Sequence, residues 1–290
     1  MGLDAVAGLG VRRWGSPSSG DPVVLALHGL TGTSAVWTDL ARRLALSVLA
    51  PDLPGRGASV DVQAAPGLPG LAQAVLHLAD TLGLERLVVV GHSMGAFLAP
   101  LVVDGLGARA VGTVLLDGGV PPARSLLHRP PVVRALFGVQ MRRLVRDWAE
   151  VDGYTAAAEG RAATDRPDLR DGFRAWSEAV LRPHAGALRP ALDPRRVVAD
   201  GVDSLGRAPH LPLLQRTAAP VHLVAATHGA DDARAPFLSD EAVASAARLV
   251  PRLSWERAQA NHATMLFDPA VAASVTRMAA RSGGHQAEAP

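Results

Sequence analysis

A serine lies between two glycines in the segment G-H-S-M-G at residues 91–95. The apolar residues 87–90 before it predict a buried strand, and the apolar residues after it predict a helix to about Gly105. Glycines permit the abrupt turn that joins a strand to a helix in so few residues. Ser93 could project from this turn as a nucleophile, and the free N–H groups that begin the helix could stabilise an oxyanion.

A serine hydroxyl becomes a good nucleophile only when a base removes its proton, and the ten histidines of the chain are the candidates. His92 neighbours Ser93 but should point away from it at such a turn. His28 follows an early apolar run, and His262 follows the last short predicted strand.

Apolar strand-like runs alternate with helical patterns in two parts of the chain. The predicted strands are residues 23–27, 48–50, 87–90, 111–116, 221–226 and 253–255. The predicted helices are residues 34–46, 71–82, 94–105, 240–250 and a last one beyond 268. This alternation is typical of an α/β protein with a mostly parallel sheet covered by helices on both faces.

The alternation is interrupted between residues 118 and 217. That stretch is rich in Arg, Pro and Ala, has a possible helix at 132–148 and has no strong strand signal. We therefore predict a core made of residues 1–117 and 218–281, a helical cap inserted at 118–217, and a flexible tail at 282–290.

Composition narrows the possible chemistry. The 290 residues include no Cys, and all 29 basic residues are Arg because Lys is absent, so thiol catalysis, disulfides, Cys-ligated metals and Schiff bases are excluded. A net charge of +2 does not indicate a nucleic-acid partner. The longest strong apolar run, 96–103, is too short to span a membrane, and no targeting signal is evident, so a cytoplasmic location is expected.

Four segments together resemble the α/β-hydrolase superfamily. Besides G-H-S-M-G, they are L-H-G-L-T-G at 27–32, similar to the family's oxyanion loop, D-L-P-G-R-G-A-S at 52–59, similar to its D-x-P-G-x-G-x-S segment, and N-H at 261–262, similar to its late catalytic histidine. The resemblance covers about residues 23–281, with the insertion matched only loosely. It implies the α/β-hydrolase fold, a mostly parallel central sheet flanked by helices with a helical cap insertion.

The resemblance also implies roles for particular residues. Ser93 would be the nucleophile and His262 the base, and the order nucleophile, acid, histidine is the one that these hydrolases use. The backbone N–H groups of Leu30 and Met94 would form the oxyanion hole. His28 would belong to the oxyanion loop.

The acid that orients the histidine has two candidate positions. Asp117 follows the strand after the nucleophile helix, where some such hydrolases carry the acid, although many relatives have a structural aspartate there. Asp231 and Asp232 follow the next strand, near the superfamily's commonest acid position but a few residues farther along than usual. A carboxylate is required, but it can follow either strand. We favour Asp117 and keep Asp231 and Asp232 as alternatives.

The predicted reaction is hydrolysis of a carboxylic ester of a small-molecule acyl substrate through an acyl-enzyme, with no cofactor and no metal. The same triad could instead serve acyl transfer, carbon–carbon bond hydrolysis or cofactor-free perhydrolysis. A non-catalytic alternative is a ligand-binding receptor on this scaffold. The sequence specifies neither the acyl-chain length nor the oligomeric state.

Overall fold

A computed structural model describes residues 3–16, 20–121, 129–160, 162, 166–206 and 210–283. Its main feature is an eight-stranded sheet with the strand order β1-β2-β4-β3-β5-β6-β9-β10. The strands are β1 Leu3–Val6, β2 Leu9–Trp14, β3 Val23–Leu27, β4 Val48–Pro51, β5 Leu87–His92, β6 Ala110–Leu116, β9 Val221–Ala226 and β10 Leu253–Ala258. All neighbours pair in parallel except at β2, which is antiparallel to both β1 and β4.

Helices cover both faces of this sheet, which confirms the predicted α/β class with a mostly parallel central sheet. In the described residues they are α1 Thr38–Arg43, α2 Leu68–Thr81, α3 Met94–Leu106, α4 Pro130–Leu144, α5 Val151–Ala158, α6 Arg170–Val180, α7 Pro194–Gly206, α8 His210–Arg216, α9 Asp240–Leu249 and α10 Pro269–Gly283. None of the described helices is both long enough and apolar enough to cross a membrane.

The central strands are apolar on both sides because each side faces a helical layer. In β3, Leu25 and Leu27 pack into one core with α2, α3 and α9, whereas Val24 and Ala26 pack into the other with α1, α6 and α10. Successive side chains of a strand point to opposite faces, so one short run contributes to both cores.

The register of the central strands brings four loops together. Leu27 of β3 lies opposite Gly91 of β5, Gly91 lies opposite Leu115 of β6, and Leu116 lies opposite Val224 of β9. The carboxyl ends of these parallel strands therefore meet at one edge of the sheet, where such folds bind ligands.

The segment between β6 and β9 contains α4 to α8 and also a hairpin, formed by β7 Leu181–His184 and β8 Ala187–Pro190. The expectation of no strand there was wrong. The hairpin turns through Ala185 and Gly186, both with positive φ, and Trp148 forms a β-bridge to Leu188. The sequence did not indicate these strands because they contain Pro183 and Pro190, and proline is unfavourable in sheets except at edges. We call residues 118–217 the insertion.

Three further elements differ from the expectations. The N-terminal hairpin β1–β2 joins the sheet although no strand was predicted before residue 23. The helix expected at 34–46 is a 3₁₀ turn, Ser34–Trp37, followed by the short α1. α10 continues to Gly283, so residues 282 and 283 of the expected tail are helical, and 284–290 lie outside the described residues.

Candidate active site

Ser93 occupies a strained turn between β5 and α3. Its φ of 55° and ψ of −118° lie in a region that non-glycine residues rarely adopt. A Cβ atom at Gly91 would clash with the Gly95 carbonyl, and one at Gly95 would clash with the Leu27 carbonyl. Both glycines are therefore needed for the turn, as the sequence pattern predicts.

A chain of close polar contacts joins Ser93, His262 and Asp117. His262 Nε2 lies 3.0 Å from Ser93 Oγ, and His262 Nδ1 lies 2.6 Å from Asp117 Oδ2. Asp117 is completely buried, and its other carboxylate oxygen accepts a hydrogen bond of 3.2 Å from the Ala226 N–H. This geometry suits an imidazole that donates through Nδ1–H to the carboxylate and accepts the serine O–H at Nε2.

Asp117 reaches His262 because of its position directly after β6. Its backbone N–H donates to the Val224 carbonyl at 2.9 Å, which ties the residue to β9. Its φ of 44° is positive, a conformation that aspartate tolerates better than most residues. The turn aims the carboxylate at the loop that carries His262.

The two alternative acids lie elsewhere in the same group of loops. Asp231 accepts a hydrogen bond of 3.1 Å from the Ala233 N–H and forms an ion pair of 3.4 Å with Arg234. Asp232 accepts a hydrogen bond of 2.7 Å from Asn261 Nδ2. Neither carboxylate forms a hydrogen bond or ion pair with His262 among the contacts described.

Asn261, the only asparagine of the chain, organises the loop that carries the histidine. Its side-chain oxygen accepts hydrogen bonds from the N–H groups of Ala263, at 3.1 Å, and Thr264, at 2.9 Å. Because Asp232 binds the amide group of the same side chain, it supports His262 indirectly. The sequence motif N-H pointed to this position but not to its function.

The other two histidines near Ser93 are buried and neutral. Burial lowers the pKa of His92 to about 3, and its Nε2 lies 2.8 Å from the His262 carbonyl, to which it donates. Burial likewise lowers the pKa of His28 to about 4. His28 donates through Nδ1 to the Gly29 carbonyl at 2.8 Å and accepts from the Leu53 N–H at 2.9 Å. One ring nitrogen must stay unprotonated to accept, so His28 holds its loop as a neutral group.

Leu30 and Met94 both lie close to the candidate nucleophile. Leu30 belongs to the loop after β3, which runs close to Ser93, since a Cβ atom at Gly29 would be 3.3 Å from Ser93 Cβ. Met94 is the first residue of α3, where a backbone N–H has no partner within the helix. Both residues line the cavity that contains Ser93.

A fully buried arginine without a predicted role connects these two residues to the insertion. Arg56 Nε donates to the Leu30 carbonyl at 3.0 Å, and Nη2 lies 3.5 Å from Met94 Sδ. Nη1 donates to the Pro54 carbonyl at 2.9 Å and forms a short ion pair with Asp200 of α7. Arg56 occupies a variable position of the D-x-P-G-x-G-x-S segment and is one of 29 arginines, so the sequence did not indicate that it is buried.

Ser93 and His262 open into a cavity of about 360 Å³ between the sheet edge and the insertion. Most of its lining is apolar. The core contributes Val36, Phe97, Phe237 and Leu266, and the insertion contributes Phe137, Ala158, Trp176 and Leu205. The cavity can hold a small apolar group next to the serine hydroxyl. Among the mostly apolar residues of its wall, Glu159 carries an acidic side chain.

A serine on a strained turn after a parallel strand, faced by a histidine, is characteristic of one class of α/β enzymes. The chain belongs to the alpha/beta hydrolase family, whose model matches residues 23–275. Residues 23–275 include both the sheet edge and the insertion.

Curated relatives match only part of this chain. Lipase LipV of Mycobacterium tuberculosis (strain ATCC 25618 / H37Rv) is 33% identical over 156 residues, which are 53% of this chain and 53% of the lipase. The dihydrolipoyllysine-residue acetyltransferase component of the acetoin cleaving system of Cupriavidus necator is 31% identical over 170 residues, 51% of this chain and 46% of that protein. The chain therefore spans about half the length of these relatives, and about a third of an uncharacterized M. tuberculosis protein that it also matches.

Solved structures match almost the whole chain. E-2-(acetamidomethylene)succinate hydrolase superposes with a TM-score of 0.75 and 23% identity, covering 93% of this chain and 94% of the other. A thioesterase domain from the curacin biosynthetic pathway superposes with a TM-score of 0.70 and 21% identity, covering 93% and 95%. At these identities the likeness establishes the fold, and together with the family it supports a hydrolase.

Proposed function

We propose that this protein is a serine hydrolase that cleaves a carboxylic ester, or a related acyl compound, through an acyl-enzyme. The observation that carries the proposal is the continuous chain of contacts from Ser93 Oγ through His262 to the buried Asp117 carboxylate. In this proposal Ser93 is the nucleophile, His262 the general base and Asp117 the acid. Asp117 is preferred to Asp231 and Asp232 because its carboxylate lies within hydrogen-bond distance of His262 Nδ1.

The first half of the reaction forms the acyl-enzyme. Ser93 Oγ attacks the ester carbonyl carbon while His262 Nε2 takes the hydroxyl proton, and the Asp117 charge stabilises the resulting imidazolium. The oxygen of the tetrahedral intermediate accepts hydrogen bonds from the N–H groups of Leu30 and Met94, each such donor being worth about 3 to 4 kcal/mol in known cases. His262 then gives its proton to the leaving alcohol as the carbon–oxygen bond breaks.

The second half repeats these steps with water. His262 removes a proton from a water molecule that attacks the acyl carbon, and the same N–H groups stabilise the second oxyanion. Collapse of this intermediate returns the proton to Ser93 Oγ and releases the carboxylic acid. Each step uses only this chain's own groups and water. That no cofactor is required stays a prediction from the sequence.

The insertion acts as a cap in this proposal. Phe137, Trp176 and Leu205 close the cavity over Ser93, which limits the water around the acyl group and strengthens the polar contacts that stabilise the intermediate. The apolar lining and the volume of about 360 Å³ favour a small acyl substrate. A cytoplasmic location stays a prediction from the sequence.

An activity-based experiment tests the proposal. A fluorophosphonate probe should label the wild type rapidly, because only an activated serine reacts quickly. Ser93→Ala should abolish both labelling and p-nitrophenyl acetate hydrolysis without changing the thermal melt, since the lost hydroxyl contributes little packing. Ser204→Ala is the matched control, because Ser204 lines the same cavity but its hydroxyl donates to the Asp200 carbonyl. Near-wild-type turnover by Ser93→Ala would show that the nucleophile is wrong, and an unlabelled wild type would favour a ligand-binding receptor.

A further inference from the structure

Glu159 is an acidic residue in the wall of the active-site cavity that the proposed mechanism does not use. It caps the carboxyl end of α5, where its backbone N–H donates to the Thr155 carbonyl at 2.9 Å. Its side chain lines the same cavity as Ser93 and His262, on the side formed by the insertion. Within the described residues that line this cavity, Glu159 is the one carboxylic acid, and no arginine is among them.

The Glu159 carboxyl group has no hydrogen-bond or ion-pair partner among the described residues. By contrast, two exposed acids of the insertion have ion-pair partners: Asp147 binds Arg189 at 2.8 Å, and Asp152 binds Arg174 at 2.5 Å. Burial raises the pKa of Glu159 to about 7, an effect that the nearby His262 only partly opposes. A half-buried carboxylate that faces a mostly apolar cavity without a partner is costly, so a ligand that supplies a cation would relieve that cost.

The surroundings of Glu159 limit what such a ligand can be. Ala158, Trp176 and Phe137 offer apolar contact, whereas the carboxylate offers one site of negative charge. A neutral hydroxyl could donate one hydrogen bond but would leave the charge uncompensated. A compound with an apolar chain that ends in a protonated amine fits both features.

We propose that Glu159 is the recognition site for a protonated amino group, and that the preferred substrates are acyl compounds that carry one. This inference rests on the proposed serine hydrolase function. Glu159 determines specificity in it, because it binds a part of the substrate remote from the reacting carbonyl. It takes no proton in the reaction.

The test compares inhibitors that differ only in charge. Primary alkylammonium ions and the corresponding alcohols, from ethyl to octyl, compete with p-nitrophenyl butyrate at pH 8, where alkylamines are protonated and Glu159 is ionised. Rates are corrected for the non-enzymatic reaction of the amines with the ester. In the wild type the best ammonium ion should bind about 10- to 100-fold more tightly than its alcohol, the range expected for a hydrogen bond to a charged group.

Three substitutions at the two ends of α5 separate a direct contact from general electrostatics. Glu159→Gln should bring the ammonium-to-alcohol ratio close to one, and Glu159→Asp should retain part of the preference because the carboxylate moves back by one methylene. Glu150→Gln makes the same charge change at the other end of α5, on an exposed side chain outside the cavity, and should keep the wild-type ratio.

The outcomes are distinct. Equal inhibition by ammonium ions and alcohols in the wild type overturns the inference and leaves the hydrolase proposal intact, as does a preference that survives Glu159→Gln. Tighter binding of alkyl carboxylates than of ammonium ions also overturns it. A wild type that neither hydrolyses the ester nor labels at Ser93 overturns the proposed function, and the inference with it.

Discussion

Replacing Asp117 by Asn keeps the side-chain volume but removes the charge next to His262. The carboxylate accepts two hydrogen bonds, with Oδ2 2.6 Å from His262 Nδ1 and Oδ1 3.2 Å from the Ala226 N–H. An amide has one oxygen and cannot accept both. If the oxygen faces His262, the NH₂ group opposes the Ala226 N–H. If the NH₂ group faces His262, it demands an unprotonated Nδ1, and Nε2 then carries the proton and cannot accept one from Ser93.

The size of the expected loss follows from this geometry. Unit charges about 4 Å apart at an effective dielectric constant of about 20 attract by about 4 kcal/mol, so the lost stabilisation of the imidazolium alone corresponds to roughly 10³-fold in kcat. The wrong tautomer adds to this, and the equivalent change in a serine protease lowers kcat by about 10⁴-fold. The free energy of unfolding should fall by only about 1 to 3 kcal/mol, the cost of one unsatisfied buried group.

The assay measures kcat on p-nitrophenyl butyrate and the thermal melt for Asp117→Asn, Asp231→Asn and Asp232→Asn. Asp231→Asn should keep kcat near that of the wild type, because Asp231 binds Ala233 and Arg234 and not the histidine. Asp232→Asn should lower kcat slightly by loosening Asn261. A collapse of kcat in either later variant, with Asp117→Asn still active, would refute the assignment of the acid and move it to the loop after β9.

Two further predictions concern buried groups that support the site. Arg56→Ala leaves Asp200 buried without its partner and should lower the free energy of unfolding by about 3 to 5 kcal/mol, whereas the double variant Arg56→Met/Asp200→Asn should lose less; equal losses in chemical denaturation would contradict this. His28 and His92 have folded-state pKa values of about 4 and about 3, well below the ordinary histidine pKa of 6.5. At a pH below about 6.5 the unfolded chain therefore binds more protons than the folded chain. Stability should fall as the pH is lowered from about 6.5 towards 4, by about 1.4 kcal/mol per pH unit for each histidine, and His92→Gln should reduce the slope of urea-unfolding stability against pH.

Much of the fold was predictable because its signals are local. Each central strand is a short apolar run, since residues buried on both faces must all be apolar, and each adjoining helix repeats its apolar residues at helical spacing. The turn at Ser93 was predictable for a similar reason, because close backbone contacts require glycine at 91 and 95 whatever the rest of the chain does. The hairpin β7–β8 was not predictable in this way, since its proline-containing strands depend on contact with Trp148.

The sequence alone was enough to predict a serine on a strand-to-helix turn of an α/β sheet with histidines available to it. It could not choose between Asp117 and the later pair, because all three carboxylates follow neighbouring parallel strands and only the packed loops decide which one reaches His262 Nδ1. Only the folded chain shows that Arg56 is buried against Asp200, and that Glu159 faces the cavity with no ion-pair partner in the part of the chain that the structure describes. The physical reason is that strand and helix patterns repeat over a few residues, whereas the environment of a charged side chain depends on groups that are often more than a hundred residues away along the chain.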